Sequence, residues 1–470
     1  MQQHHQRRAV IAGSAAIMAT GSVGHVRGQP KPNVIVIGAG LAGLNAALHL
    51  QDGGARVSVL EASSRLGGRI HTRRDLEGAP EGGAKQVHDS YTRTQARIRE
   101  LGVGVFKRPV LTSGTAVNIG GVNVSAKEWP TAAINKLAGD ERGLPLATLR
   151  FQVLTKLNPL TDLQAWRQPA FQQYDVAFKP LARSLGISDE ALRIMEFAAT
   201  SMGLDDVSAL HLFRRHKQSQ AAEFGSTARF FTGGTSSLPD AIASKLTTSV
   251  LFGKQVKGIT QSKSGVEVRC ADGTTHTADF VMCTIPFPVL RDVALDPAPS
   301  GGVGLAIRAL PAVHATHIHL IARAPFWHDD GFPPTMFTDS PLEMVSKLFD
   351  EPGHESGSLL LELRGRGCAR FDSLPEADKG PAILTELARL RPASKGKVDY
   401  LGIDSWATNP LFKGGYHYFR PGQVTAFGAA MFSPWGRVHF AGEHLAEIGV
   451  GLEAAMESSE REARAILTKF

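Results

Sequence analysis

Three glycines and one acidic residue near the start of the chain have the spacing of a dinucleotide phosphate site. Gly38, Gly40 and Gly43 form the pattern G-x-G-x-x-G, and Glu61 follows 18 residues after the last of them. The first glycine permits a tight turn, the second lets backbone N–H groups approach a pyrophosphate, and the third allows a helix to pack closely on a strand. An acid at this distance accepts hydrogen bonds from ribose hydroxyls, which favours FAD or NAD over NADP.

The residues around this pattern predict the elements that must position it. Residues 34–37 and 56–60 are short runs rich in valine and isoleucine, as in strands, and the stretch from Leu41 to Gln51 has the alanine and leucine content of a helix. Strand, turn, helix and strand is the order of a Rossmann-like unit, with phosphates at the helix N-terminus. We therefore predict an α/β fold built on a Rossmann-like nucleotide-binding domain.

A second glycine pair follows the acid. Gly67 and Gly68 expose the backbone, and Arg69 can form two parallel hydrogen bonds with phosphate oxygens or with the polar edge of a flavin. The stretch from residue 61 to residue 72 resembles the flavin amine oxidases, the group of monoamine, polyamine and L-amino acid oxidases. The resemblance implies FAD as the cofactor, a monoamine-oxidase-like fold with a mixed α+β substrate domain, and cofactor contacts from Ala62 as well as Arg69.

The C-terminal part of the chain resembles the closing block of the same family. Residues 436–444 read as a strand ending in an acid, and residues 451–458 read as the start of a helix. The resemblance implies that Glu443 binds the ribityl or pyrophosphate region and that the amides of Leu452 and Glu453 face the flavin's N1–C2=O edge. A helix N-terminus suits that place, because reduced flavin carries negative charge there.

Two weaker similarities extend the predicted site. Val256 lies in a segment that resembles the small sheet whose backbone holds the adenine. A Gly-Gly turn resembles the loop that crosses the flavin, which implies that Gly83 and Ala84 contact it through their backbones. Lys85 and Gln86, the next two residues, are predicted to face the substrate.

One position departs from the family pattern in a way that concerns the electron acceptor. Most relatives carry a lysine nine residues before a Phe-Trp pair, and counting back from Phe326 and Trp327 gives His317. We predict that His317 takes the lysine's place beside the flavin and makes the reaction with oxygen slower. A structural histidine, or a metal pair with His319 that lacks a third ligand, is the alternative.

The loop before the closing block bears on the substrate pocket and on how FAD is held. Tyr416 corresponds to one wall of the aromatic pair that encloses an amine in monoamine oxidases, and Gly451 stands where the other wall would be. A roomier pocket follows, although Tyr416 could equally serve only to pack against the flavin. Residues 413–422 contain no cysteine, so the sequence predicts noncovalent FAD.

These features predict an enzyme that transfers a hydride from the α-carbon of an amine to flavin N5. The resulting imine hydrolyses to an aldehyde or ketone plus ammonia or an amine, with hydrogen peroxide as a product if oxygen is the acceptor. No arginine stands in a motif that matches a carboxylate site, so an amine without a carboxylate is preferred. The alternatives are an L-amino acid oxidase, a desaturase or protoporphyrinogen-oxidase-like enzyme, and a secreted flavin-fold binding protein without activity.

The composition describes a globular protein large enough for two domains. Of 470 residues, 43% are hydrophobic and 20% are charged. The net charge of +7 is scattered and forms no basic tract with interleaved aromatics, which excludes nucleic acid as an expected partner. Three widely spaced cysteines predict neither a metal site nor a disulfide framework. A homodimer is one possible assembly.

The first residues have the pattern of an export signal. Arg7 and Arg8 precede a small-residue apolar stretch, as in twin-arginine signals, which predicts a periplasmic or secreted protein. The alternative is a disordered leader. No later apolar run reaches 18 residues, so stable membrane insertion is not expected. The predicted parts are a signal peptide (1–29), a discontinuous FAD-binding domain (30–105, 225–300 and 395–470) and a substrate-binding domain (106–224 and 301–394).

Overall fold

The computed structural model describes residues 31–107, 114–197, 201–222, 228–348 and 357–469. The predicted signal peptide, including Arg7 and Arg8, lies outside the described residues. The strands of the described part are β1 (Asn33–Ile37), β2 (Arg56–Leu60), β3 (Val87–His88), β4 (Val105–Lys107), β5 (Ala116–Ile119), β6 (Val122–Ser125), β7 (Ala228–Phe231), β8 (Val256–Gln261), β9 (Val266–Cys270), β10 (Thr275–Ala278), β11 (Phe280–Cys283), β12 (Ala294–Asp296), β13 (Ala315–Ala322), β14 (Met336–Thr338), β15 (Met344–Lys347), β16 (Ser358–Arg364), β17 (Val398–Ser405) and β18 (Val438–Phe440). Its α-helices are α1 (Leu41–Asp52), α2 (Thr92–Leu101), α3 (Leu149–Leu157), α4 (Phe178–Ser184), α5 (Asp189–Met195), α6 (Ala209–Ala221), α7 (Ser237–Ala243), α8 (Phe287–Leu290), α9 (Gly301–Ala309), α10 (Trp327–Asp330), α11 (Ala369–Asp372), α12 (Glu376–Leu390) and α13 (Gly451–Leu467).

A four-stranded parallel sheet with the order β18-β11-β1-β2 forms the nucleotide-binding part. Both faces of β1 are covered: Val34 and Val36 pack in one apolar cluster, whereas Ile35 and Ile37 pack in another. Burial on both faces explains why the strand is a continuous apolar run. The Rossmann-like strand, helix and strand predicted from the sequence are thereby confirmed.

The first and last helices of the described chain pack side by side on this sheet. α1 and α13 are in contact, and Asn45 Nδ2 donates a hydrogen bond of 2.9 Å to Ser459 Oγ between them. The C-terminal helix therefore completes the layer that the N-terminal helix begins.

A seven-stranded sheet with the order β17-β13-β16-β15-β14-β5-β6 forms the other large layer. Every residue of β13 is buried, and the register places His317 between Glu362 of β16 and Asp404 of β17. β13 and β16 lie in the predicted range 301–394 of the substrate-binding domain. The range 106–224 contains α3 to α6 and also contributes β5 and β6 to this sheet. β17, which lies in the range 395–470, pairs here with β13, and the domain boundaries stay a prediction.

Within the residues that the structure describes, no helix combines the length and apolar character needed to cross a bilayer. The three cysteines are all buried and unpaired with one another. Burial raises the pKa of the Cys283 thiol to about 12, as expected for a packed, unreactive side chain.

Candidate active site

A cavity of about 540 Å³ lies along the carboxyl ends of the parallel strands. The residues that directly follow β1, β2 and β11 line it, namely Gly38, Glu61 and Thr284, and so does Gly442, two residues after β18. Ligands of open α/β sheets bind at this edge. The cavity continues to β13 and β16, so it joins the two large sheets.

The three motif glycines meet different physical constraints. Gly38 has φ +102°, a conformation that favours glycine, and its N–H donates to Leu60 O at 2.7 Å. A Cβ on Gly43 would lie 1.9 Å from Gly38 O, so helix and turn pack too closely for any side chain. A Cβ on Gly40, in contrast, would meet no protein atom closer than 3.8 Å. The space beside Gly40 is not needed by the fold and suits a pyrophosphate.

Glu61 is buried and its carboxylate is fixed at the cavity wall. Its Oε2 accepts from Ala39 N–H at 2.7 Å, and its Oε1 accepts from the N–H and hydroxyl of Ser63 at 2.8 and 2.7 Å. Ala62 and, farther along the same wall, Val256 also line the cavity. The residues predicted for the ribose and adenine therefore lie at one end of it.

Glu443 and Arg69 form the middle of the cavity. Arg69 Nη1 lies 3.8 Å from Glu443 Oε2 and also donates to the carbonyl of Gly415. His417 Nδ1 lies 3.1 Å from Glu443 Oε1. Burial alone would raise the pKa of Glu443, but His417, Arg69 and Arg215 outweigh it and hold that pKa well below its usual range. Glu443 is thus a carboxylate acceptor for hydroxyl groups of a cofactor.

The N-terminus of α13 reaches the cavity, but of the two residues predicted there, Leu452 lines the cavity and Glu453 does not. Gly451 and Leu452 line the cavity, and the helix has no side-chain cap on its first N–H groups. The Glu453 carboxylate points away and accepts hydrogen bonds from the backbone N–H groups of Arg93 and Thr94 at 3.1 and 3.0 Å. Glu453 is not among the lining residues, and its side chain caps α2.

The turn predicted to cross the flavin packs tightly against the cavity wall. Gly83 and Ala84 line the cavity, and a Cβ on Gly83 would lie 1.9 Å from Arg69 O. Trp406 Nε1 donates a hydrogen bond of 2.9 Å to Gly82 O. The backbone of this turn is therefore held at the surface that a flavin ring would contact.

A cluster of charged side chains occupies the far end of the cavity, and Lys85 belongs to it. Lys85 Nζ lies 2.6 Å from Glu362 Oε2, and Arg364 Nη2 lies 3.1 Å from Glu362 Oε1. Arg364 Nη1 donates to the Tyr416 hydroxyl at 3.3 Å. Gln86 also lines this end, with its Nε2 at 3.1 Å from the His88 ring. The structure thus brings Lys85, Gln86 and Tyr416 together at one end of the cavity.

His317 lines the same end as a neutral imidazole. Its Nδ1 lies 3.4 Å from Glu81 O and its Nε2 lies 4.0 Å from Glu362 Oε1. Burial, together with Lys85 and Arg364, lowers the pKa of His317 to about 4. His317 therefore adds no positive charge to the cavity at neutral pH.

His317 and His319 do not converge on a common ligand position. His319 is fully buried, and its Nε2 lies 2.9 Å from Asp404 Oδ2, next to Arg73 at the same distance from that oxygen. In the described part of the chain, no group of three His, Cys, Asp or Glu side chains could hold a metal ion. The pair is better explained by hydrogen bonding within the sheet.

Several cavity residues are missing from the sequence-based prediction, namely Glu362, Arg364, Arg215 and Trp406. For two of them a signal exists: Glu362 and Arg364 alternate with leucines in a buried strand, which places both charges on one face. Arg215 has no comparable local signal.

The fold and the cavity together define an FAD-dependent oxidoreductase with a charged substrate pocket. The chain belongs to the flavin containing amine oxidoreductase family, whose pattern matches residues 41–467. It is an enzyme that acts on CH–NH or CH–NH₂ donors, as predicted. The predicted resemblance and fold class are confirmed.

Curated relatives are amino acid oxidoreductases. The chain is 28% identical to the L-amino-acid oxidase of Siganus canaliculatus, over 92% of this chain and 84% of that protein. It is 26% identical to the L-amino acid dehydrogenase of Synechocystis, over 92% of this chain and 94% of that protein.

Solved structures show the same fold at lower identity. Putrescine oxidase bound to putrescine superposes with a TM-score of 0.77 at 22% identity, covering 93% of this chain and 99% of that chain. Cyclohexylamine oxidase from Brevibacterium oxydans has a TM-score of 0.79 at 20% identity, covering 94% and 99%.

Proposed function

We propose that the enzyme oxidises α-amino acids, and the observation that carries this proposal is Arg364 beside Tyr416 in the substrate end of the cavity. A guanidinium and a phenol hydroxyl 3.3 Å apart offer donors to one carboxylate. This differs from the preference for a carboxylate-free amine, which rests on the absence of an arginine in a matching motif, whereas Arg364 lies in a strand outside any such motif. The amino acid oxidoreductases among the relatives support the same choice.

The ammonium group of an amino acid also has a partner in this end of the cavity. Burial alone would raise the pKa of Glu362, but Lys85 and Arg364 outweigh it and keep that pKa well below its usual range. Glu362 is therefore a carboxylate that can attract the substrate's ammonium group. Neutral His317 can accept a hydrogen bond from the same nitrogen without repelling it.

The residues orient the substrate, and the cofactor performs the oxidation. FAD, when bound, supplies the two-electron acceptor for the hydride. The α-C–H bond of the substrate breaks with its electron pair, the C–N bond becomes a double bond, and nitrogen releases a proton. Water then hydrolyses the imino acid to a 2-oxo acid and ammonia. Arg364 and Tyr416 would hold the carboxylate while Glu362 and His317 receive the nitrogen.

The test is anaerobic reduction of the flavin by matched substrate pairs. Each L-amino acid is compared with its decarboxylated amine, for example leucine with isoamylamine, and loss of the flavin's visible absorbance is recorded. We expect the amino acid to reduce the enzyme at least about 100-fold more efficiently, because the amine lacks the carboxylate that Arg364 and Tyr416 would bind. Equal or better reduction by the amines would overturn the proposal.

A matched pair of variants locates the carboxylate site. Arg364→Met should abolish the preference for amino acids over amines, whereas Arg183→Met, which removes an exposed arginine far along the chain on α4, should preserve it. A preference that survives in Arg364→Met would move the carboxylate site elsewhere.

We further propose that FAD is bound without a covalent link. None of the three cysteines is among the residues that line the cavity. Acid precipitation of the holoenzyme should leave all yellow colour in the supernatant. Flavin on the pellet would contradict this proposal.

For the cellular setting we propose export through the twin-arginine signal to the periplasm or outside, with oxygen or an exported redox protein as the electron acceptor. Replacement of Arg7 and Arg8 by lysine should retain the protein in the cytoplasm if that is the route. The proposed homodimer is tested by light scattering at several concentrations.

A further inference from the structure

Arg215, on α6, lines the cavity and acts on Glu443 through its charge, without an ion pair. It is half-buried, and among the described residues its side chain makes no hydrogen bond and no ion pair. Its neighbour Arg214 is different, because that side chain donates to Ala446 O at 2.7 Å and stacks over Trp166 at 4.3 Å. Arg214 is fixed by the fold, whereas the charge of Arg215 is left facing the cavity.

Positive charge is in excess around Arg215. The cations that line the middle and this end of the cavity are Arg69, Lys85, Arg215 and Arg364, whereas the carboxylates that line the same region are only two, Glu362 and Glu443. Glu362 already pairs with two of them, Lys85 at 2.6 Å and Arg364 at 3.1 Å.

The cations repel one another. Burial lowers the pKa of Arg150, and Arg364 and Arg215 lower it further, while Tyr416 acts in the opposite direction. Like charges brought together in a partly buried site cost free energy unless an anion joins them. When the α-carboxylate of the substrate has paired with Arg364, an excess of positive charge still remains.

The wall beside Arg215 includes Gly451, which lines the cavity. A Cβ on Gly451 would lie 3.1 Å from the hydroxyl of Tyr91, which is not a lining residue, so the absence of a side chain here does not enlarge the cavity. Room for the substrate comes from the cavity itself, whose volume is about 540 Å³.

We propose that Arg215 is a second anion-binding position and that the preferred substrates are α-amino acids with an acidic side chain, such as L-glutamate or L-aspartate. This inference rests on the proposed function, in which Arg364 takes the α-carboxylate. Arg215 pairs with the side-chain carboxylate and makes the enzyme selective against the neutral amides and apolar amino acids.

The experiment measures kcat/KM for three compounds with holoenzyme. L-Glutamate carries both carboxylates, L-glutamine lacks only the side-chain charge, and γ-aminobutyrate lacks only the α-carboxylate. We expect glutamate to exceed glutamine by about 100-fold or more, since a site built for a charged group leaves its own charge unpaired with the amide. The Arg215→Met variant should bring the glutamate to glutamine ratio close to one, and Arg215→Lys should retain part of it.

Two controls separate charge at the site from other effects. Arg183→Met removes the same charge from the exposed side of α4 and should keep the wild-type ratio. FAD content is measured for each variant, because an Arg215→Met enzyme that loses its flavin would assign Arg215 to the cofactor and overturn the inference.

The outcomes distinguish this inference from the proposed function. If wild-type enzyme oxidises glutamine or leucine as well as glutamate, the second anion position is wrong and amino acid oxidation stands. If γ-aminobutyrate matches glutamate, the α-carboxylate site at Arg364 is wrong and the proposed function fails with it. A glutamate preference that Arg215→Met leaves unchanged overturns the assignment to Arg215.

Discussion

Gly40 and Gly43 belong to one motif, yet only one of them is required by the fold. A Cβ on Gly43 would collide with Gly38 O at 1.9 Å, whereas a Cβ on Gly40 has 3.8 Å of clearance from the nearest protein atom. We predict that Gly40→Ala folds normally and binds FAD more weakly by about 1–3 kcal/mol, through lost backbone contacts to the pyrophosphate. The flavin-to-protein ratio and the melting temperature of the apoprotein check this.

Gly43→Ala is the matched comparison for that variant. It should lower the melting temperature of the apoprotein itself, because the helix must move away from the turn. If purified Gly40→Ala contains a full complement of FAD, the pyrophosphate does not lie beside Gly40 and the assigned cofactor position is wrong.

The neutral ring of His317 bears on how fast the reduced flavin reacts with oxygen. Its pKa of about 4 means that the ring is neutral at pH 7, so it does not stabilise developing superoxide as an ammonium would. We predict that His317→Lys reoxidises with oxygen about tenfold faster, the change expected for roughly 1.4 kcal/mol of added stabilisation. Stopped-flow mixing of substrate-reduced enzyme with oxygen measures this rate. An unchanged rate would mean that His317 does not govern the oxygen reaction.

At the scale of elements, the start of α13 has two acids with separate tasks, Glu443 shortly before it and Glu453 within it. Glu453 caps α2 through the N–H groups of Arg93 and Thr94 and the Thr94 hydroxyl. We predict that Glu453→Ala lowers the free energy of unfolding by about 1–2 kcal/mol, the usual effect of a lost cap. FAD content should be retained in the folded fraction.

Glu443→Ala should show the reverse pattern, with FAD lost before stability. Denaturant unfolding of both apoproteins, followed by flavin titration, compares them. Loss of FAD in folded Glu453→Ala would instead give that side chain a role in cofactor binding, in addition to the role predicted for its backbone amide.

The sequence allowed prediction of those parts of the site whose residues are neighbours in the chain, and much less of the parts that the fold brings together. The motif from β1 to Glu61 was predictable because its strand, turn, helix and acid are neighbours in the chain and each has its own local pattern. The charged end of the cavity was predictable only in part: the family resemblance pointed to Lys85 and Tyr416, whereas Glu362 and Arg364 join them only through sheet register and loop packing. Glu453 shows a third case: its position at a helix start was correct, but the direction of its side chain depends on α2.

For the whole molecule, buried histidines make stability depend on pH. Burial is the largest cause that lowers the pKa of His216 and His317 to about 4 and that of His444 to about 3. In the unfolded chain these histidines have pKa values near 6.5. Between about pH 7 and pH 3 the unfolded chain therefore binds more protons than the folded chain. This stability is fully present above about pH 7 and is lost as the pH falls from about 6.5 towards 4.

The total effect should be several kcal/mol, since one pKa unit corresponds to about 1.4 kcal/mol. Melting temperatures between about pH 7 and 4 test it. His444→Phe, which keeps the aromatic contact with Phe287 and removes the titrating group, should flatten the profile. The exposed His328, replaced in the same way, should not. A profile as steep in His444→Phe as in wild type would contradict the prediction.

The strand order β18-β11-β1-β2 also sets an order in time. A nascent chain has made β1 and β2 long before it reaches β18 at Val438, so for most of its synthesis one wall of the nucleotide cradle does not exist. During that interval the outer edge of β11 is an unpaired strand edge, a surface on which chaperones act and aggregation begins. FAD can consequently bind to its complete site only after β18 has been synthesised. A test for bound flavin is therefore also a test that synthesis has passed β18.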